Sequence, residues 1–120
     1  VEKLYLAKAA FEVSTLHEEI ALSALQNTSY LQKSVAVIRS ERLRVSAELK
    51  KLGVNVYPSE ANFLFMDVGY APVVKAFLHE QNILVRDFPG MNAFLRVTLG
   101  PPEVNDRFLQ AMREWRSPSE

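Results

Sequence analysis

From Leu31 to Leu52 apolar residues recur in alternating steps of four and three: Leu31, Val35, Ile38, then Val45, Leu49 and Leu52, with Arg42 in register between them. That spacing lays one narrow stripe along a single long helix. Ser29 followed by Gln32 has the form of a capping box that opens it, and Gly53 suits a left-handed cap that closes it. The remaining positions, Lys33, Arg39, Glu41, Arg44, Glu48 and Lys51, read as a solvated face. Arg42 reads as a snorkelling side chain whose stem covers the edge of the core. A coiled coil would need more heptads than the stripe supplies.

Upstream, Val1–Ala10 is helix-permissive but has no starting cap, as expected for the tail of a helix that begins earlier. Thr15 and Glu18 form a second capping-box pattern, predicting a helix from Leu16 to about Gln26 that stops at Asn27. Past Gly53 the period changes. Val54–Tyr57 reads as a short strand, Pro58-Ser59-Glu60 as a loop, and Ala61–Val68 as a strand apolar on both faces until Asp67. Such a strand belongs inside a sheet, away from its rim. Gly69 and Pro72 bound a turn, and Val73, Val74, Phe77 and Leu78 mark a helix ending near Asn82.

Two further strands are predicted at Ile83–Val85 and Leu95–Leu99, joined by a linker holding the turn formers Asp87, Pro89, Gly90 and Asn92. Gly100-Pro101-Pro102 stops the last strand and starts a helix carried by Val104, Phe108, Met112 and Trp115. Arg116–Glu120 reads as a frayed tail. The order helix, helix, strand, strand, helix, strand, strand, helix predicts an α+β domain, a small sheet of about four strands with helices packed on one face. No internal repeat or internal domain boundary interrupts it.

Alternation on the last strand sends Leu95, Val97 and Leu99 one way and Arg96 and Thr98 the other. A guanidinium cannot shed its charge, so inside a sheet it must be paired or wet. Arg96 therefore needs an anionic ligand, an opening to solvent, or an internal carboxylate such as Asp67 or Asp87. Arg86 raises the same choice, with Asp87 as its nearest internal partner.

Composition narrows the rest. A chain of 120 residues, 48% hydrophobic and 23% charged, is the size and make-up of one folded domain. A formal net charge of +0 supplies no bulk attraction to nucleic acid or to an anionic membrane. The cysteine count is 0, which removes disulfides, thiolate metal sites and cysteine nucleophiles and suits a reducing, cytoplasmic setting. His17 and His79 have no ligand spacing around them and read as surface or helix-end residues. No run has the length of a transmembrane helix.

Four stretches, AFEVSTL, LKKLGVNVYPSEANFLFMDV, ILVRDF and FLRVTLGPPEVNDRFLQAM, together resemble the C-terminal small domain of histidinol-phosphate aminotransferase. That family lies in the class-II branch of the fold-type I pyridoxal-phosphate enzymes. Aromatic amino-acid transaminases and threonine-phosphate decarboxylase share the pattern. The resemblance implies that the whole chain is one small domain, with residues 1–13 as the connector from a large cofactor domain. It implies that Arg96, in L-R-V-T, receives the substrate's phosphate or carboxylate, with Arg86 as a second arginine near that anion. Asn62, in A-N-F, would support the site with its side chain from the neighbouring strand.

The resemblance further implies pyridoxal phosphate bound mainly by the large domain, a small-molecule substrate, a homodimeric parent and a place in histidine biosynthesis. The Schiff-base lysine and the aspartate on the pyridine nitrogen would both lie upstream of Val1. None of Lys3, Lys8, Lys33, Lys50, Lys51 or Lys75 has the family's serine-lysine setting, so this piece alone is expected to be inactive. Glu12 replaces the asparagine usual in the opening segment, and Ala9 and Ala10 replace its proline-bearing positions. The other reading is a free-standing non-enzymatic module that binds a small anion or associates with itself.

Overall fold

The computed structural model describes residues 13–117; the expectations for Val1–Ala10, Glu12 and the last three residues lie outside them. The chain divides into two compact units, Val1–Lys33 and Ser34–Glu120.

In the first unit, α1 (Thr15–Gln26) starts one residue earlier than its capping pattern predicts. Ser14 takes the N-cap position, its carbonyl accepting from Glu18 N–H at 3.1 Å and its hydroxyl bonding His17 Nδ1 at 2.9 Å. The Thr15–Glu18 box therefore does not form. Every residue of α1 is exposed, including Leu16, Ile20, Leu22 and Leu25. Helix α2 (Thr28–Lys51) also starts early. Asn27 ends α1 and opens α2, its Oδ1 accepting from Tyr30 N–H and from the Ser29 hydroxyl, both at 3.2 Å. An asparagine satisfies donors at a helix start as well as serine does, so Ser29 is left inside the helix.

The second unit holds the sheet. Strands β1 (Asn55–Val56), β2 (Phe63–Asp67), β3 (Arg86–Asp87) and β4 (Phe94–Thr98) lie in the order β1-β2-β4-β3, all antiparallel. The doubly apolar β2 is central, as its composition predicts. Residues Leu64, Met66, Leu95 and Val97 share one face, with Leu64 opposite Val97 and Met66 opposite Leu95. They bury against Val45 and Leu49 of α2, Val74 and Leu78 of α3 (Ala71–Glu80), and Phe108, Leu109 and Met112 of α4 (Pro102–Arg116). Among the described residues of this unit, helices thus cover one face only.

Several boundaries move for identifiable reasons. The predicted strand Ile83–Val85 is irregular, and pairing begins at Arg86. Asn82 adopts φ +58°, and Ile83 N–H donates back to Leu78 O at 2.9 Å, so these residues close α3 before the chain can reach β4. Gly53 does take φ +74° at the end of α2. The stripe of α2 is buried only in its second half: Val45 and Leu49 are fully enclosed, while Leu31 is exposed. Val104 and Val73 are exposed, and Asn105 takes a buried place in α4.

Two polar side chains of α2 do more than coat a surface. Arg42 is mostly enclosed and clamps the β1–β2 loop, donating to Ala61 O at 3.0 Å and to Glu60 Oε2 at 2.7 Å. Glu41, expected on the solvated face, is 5% exposed. Its carboxylate receives Arg44 through a double hydrogen bond of 2.6 and 2.9 Å and Asn105 Nδ2 at 2.8 Å. Asn105 also donates to Gly100 O at 2.8 Å and accepts from Gly100 N–H at 2.9 Å. One buried network therefore ties α2, the β4–α4 turn and α4 together. The Arg44 guanidinium, then Asn105, hold the Glu41 carboxyl below the usual carboxylate range against the opposing effect of burial.

Candidate anion-binding face of the sheet

The second face of the sheet has no helix packed on it among the described residues of its unit. Strand alternation places Phe63, Phe65, Phe94 and Arg96 there, all half-buried, with the exposed Arg86 beside them. Tyr57 extends the row past β1, its N–H bonded to Phe65 O at 3.0 Å. Phe65 and Phe94 stack at 5.1 Å between centroids and 5° between planes. Tyr57 packs on both rings, at 5.7 and 6.1 Å, and Phe88 meets Phe65 edge-on at 5.7 Å. The face is an aromatic floor.

Two cations stand on that floor. Arg96 and Arg86 are direct cross-strand partners, so their side chains leave the same face from opposed positions. The Arg96 guanidinium carbon lies 5.1 Å from the Phe63 ring centre, and that of Arg86 lies 5.9 Å from Phe88. Two internal carboxylates lie nearby, Asp67 on this same face opposite Phe94 and Asp87 on β3, and each has a partner other than these arginines. Asp87 projects to the other face and binds Lys75 Nζ at 2.7 Å, which holds its carboxyl below the ordinary aspartate range. Asp67 Oδ1 accepts from Gly69 N–H at 2.9 Å.

Among the described residues neither guanidinium has a carboxylate partner. Arg96 Nε is moreover a buried donor with no hydrogen-bond acceptor. Such a donor costs about 1–3 kcal/mol while unmet. Two opposed guanidiniums over an apolar floor can take a carboxylate or phosphate by parallel N–H donors.

Asn62 is not brought to this face. It precedes β2 with the parity of Leu64, and its exposed side chain lines a cleft of about 240 Å³ with Ile38, Arg39 and Arg42. Its carbonyl accepts from Leu99 N–H at 2.8 Å, which pins the end of β4 two residues after Val97. Sequence reasoning therefore placed Arg86 and Arg96 together and missed the rings. The aromatic at every second position of Phe63–Phe65 and the Arg86–Phe88 pair were visible in the sequence, but only the register shows that they meet.

The second unit is an α+β fold with one open sheet face, and comparison with other proteins gives the family of the chain. The chain belongs to the aminotransferase class I and II family, whose profile matches residues 1–112. It is 38% identical over 116 residues to the histidinol-phosphate aminotransferase of Corynebacterium efficiens, covering 95% of this chain and 31% of that protein. It is 39% identical over 111 residues to histidinol-phosphate aminotransferase 1 of Archaeoglobus fulgidus, covering 90% and 34%.

Among solved structures, a protein of Burkholderia pseudomallei assigned as an aminotransferase superposes with a TM-score of 0.82 at 30% identity, over 97% of this chain and 37% of its own. The histidinol-phosphate aminotransferase of Clostridium acetobutylicum shares the fold, with a TM-score of 0.79 at 24% identity over 96% and 37%. The chain spans about a third of the length of the curated relatives it matches.

Proposed function

We propose that this chain is the C-terminal small domain of a pyridoxal-phosphate-dependent aminotransferase, most like the histidinol-phosphate enzyme of histidine biosynthesis. All 120 residues belong to that domain in this reading, with residues 1–13 as the connector to a large domain. Arg96 receives the phosphate or carboxylate of the substrate and Arg86 is the second cation beside it. Asn62 supports them through its backbone, by holding the end of β4. The observation that carries the proposal is the Arg96 guanidinium, opposed to a second arginine and with a buried Nε that no acceptor meets.

The cofactor would supply the electron sink for amino-group transfer. The lysines described here do not fit it as an anchor: Lys51 and Lys75 are engaged by Glu48 at 2.6 Å and Asp87 at 2.7 Å, and Lys33 and Lys50 are exposed on α2 and not on the strands of the open sheet face. The lysine that holds it belongs to the large domain of the parent chain. This domain's work is to bind and orient the substrate anion on a floor that sheds water. The apolar side chains of α1, all exposed, are suited to cover by that large domain, and the parent is a homodimer in the cytoplasm. Among the described residues no helix is long and apolar enough to cross a membrane.

The test is kinetic, in the full-length enzyme. Arg96→Ala removes a charge-assisted bond worth about 1.5–3 kcal/mol. That corresponds to about a ten- to hundredfold fall in kcat/KM for the phosphate or carboxylate substrate. An unchanged kcat/KM in the variant would take Arg96 out of the site.

A further inference from the structure

Arg86 occupies an unfavourable place. It is an exposed side chain on an edge strand of two residues, directly opposite another arginine. Like charges at opposed cross-strand positions repel, and an edge side chain has free rotation into solvent. Left to that repulsion, Arg86 would extend into solvent. Its guanidinium instead lies at the Phe88 ring, 5.9 Å from the centre.

The Phe88 ring is itself held from two sides. It packs edge-on at 5.7 Å against Phe65, which is the cross-strand partner of Arg96 on β2 and the ring stacked on Phe94. Its backbone is set by a turn in which Phe88 O accepts from Met91 N–H at 3.0 Å and Gly90 takes φ +80°. On the opposite face of β3, the Lys75–Asp87 ion pair fastens the strand to α3. Phe88 therefore links Arg86 to the same floor on which Arg96 stands.

We propose that Phe88 is the positioning residue that keeps the Arg86 guanidinium on the open face of the sheet, through the face of its ring, before any ligand arrives. The proposal adds to the reading of the two arginines as an anion site and rests on it only for its consequence in binding. A cation held over an exposed aromatic ring gains enough to account for about a two- to fivefold difference in anion affinity.

The experiment follows the arginine side-chain Nε–Hε resonances of the 120-residue chain by NMR, with inorganic phosphate as the probe. Without phosphate, the Arg86 Hε resonance is expected to carry an upfield ring-current shift that Phe88→Leu abolishes, Phe88→Trp retains, and neither transfers to Arg96. With phosphate, Phe88→Leu is expected to weaken binding about two- to fivefold, Phe88→Trp to restore it, and Phe88→Leu to add nothing in an Arg86→Ala background. Phe88→Met provides the same comparison should leucine disturb the turn.

An Arg86 resonance identical in wild type, Phe88→Leu and Phe88→Met would overturn the proposal, as would an equal loss of phosphate binding with Arg86 absent. If phosphate moves neither guanidinium in the wild-type chain, the anion reading fails, and the ring-current comparison alone still decides what Phe88 does.

Discussion

The two faces of one sheet are built from neighbouring residues on the same strands, yet they are held by different physics. On one face Leu64, Met66, Leu95 and Val97 are enclosed under three helices, and each loses its contact with water. On the other, Phe63, Phe65, Phe94 and Arg96 stay half-exposed, and among the described residues the two arginines there are paired with no carboxylate. The first face is satisfied within its own unit. The second is not, and a buried guanidinium donor without an acceptor is the measure of that. Folding energy is stored on one side, and capacity to bind is left open on the other.

Substitutions can separate the faces. The largest expected effect is in the core: Leu49→Ala, at a side chain with 0% exposure, should destabilise the fold by about 2–5 kcal/mol in urea or thermal unfolding. Arg96→Ala should show the reverse pattern, with stability unchanged or improved and phosphate no longer perturbing the sheet's open face in NMR titration. Comparable losses of stability at both positions would erase the distinction between the faces.

Glu41→Ala tests the polar seam at the edge of the core. It strands Asn105 and one arm of Arg44, and should cost about 1–3 kcal/mol without altering phosphate binding. The same residue predicts a pH dependence. Its folded carboxyl is held below the usual range, so its contribution is full above the ordinary carboxylate value and is lost as pH falls through the depressed one. Acid unfolding curves should therefore be shallower for Glu41→Gln than for wild type.

The smallest effect is expected at Lys75→Met, on an exposed ion pair. Because the Asp87 carboxyl is also held low, any loss should be present at neutral pH and vanish on acidification through that depressed value. A melting-temperature difference that persisted at low pH would show that Lys75 acts by packing and not by charge.

How much of this was legible beforehand differs between the faces. The stripe from Leu31 to Leu52, the doubly apolar β2 and the glycine after α2 identified the fold class, but only the stripe's second half proved to be core. Arg96 stood out because an arginine between Leu95 and Val97 contradicts its surroundings. Glu41 did not stand out: a glutamate among charged neighbours looks solvated until Asn105, 64 residues away, is folded against it. The strand expected at Ile83–Val85 failed for a related reason, since apolar composition there serves the end of α3 before it serves the sheet.

Local periodicity, turn chemistry and the conflict of a charged residue in an apolar strand are properties of short stretches. They were sufficient to determine the α+β order, part of the core and the first arginine. Which groups share a face across strands depends on register, and which carboxylates remain free depends on what long side chains reach after folding. Only the tertiary structure decided that Arg86 opposes Arg96, that Lys75 takes Asp87 away from both, and that Asn62 stands on the helix side. Those outcomes are set by contacts between residues far apart in the chain, where no window of sequence contains both partners.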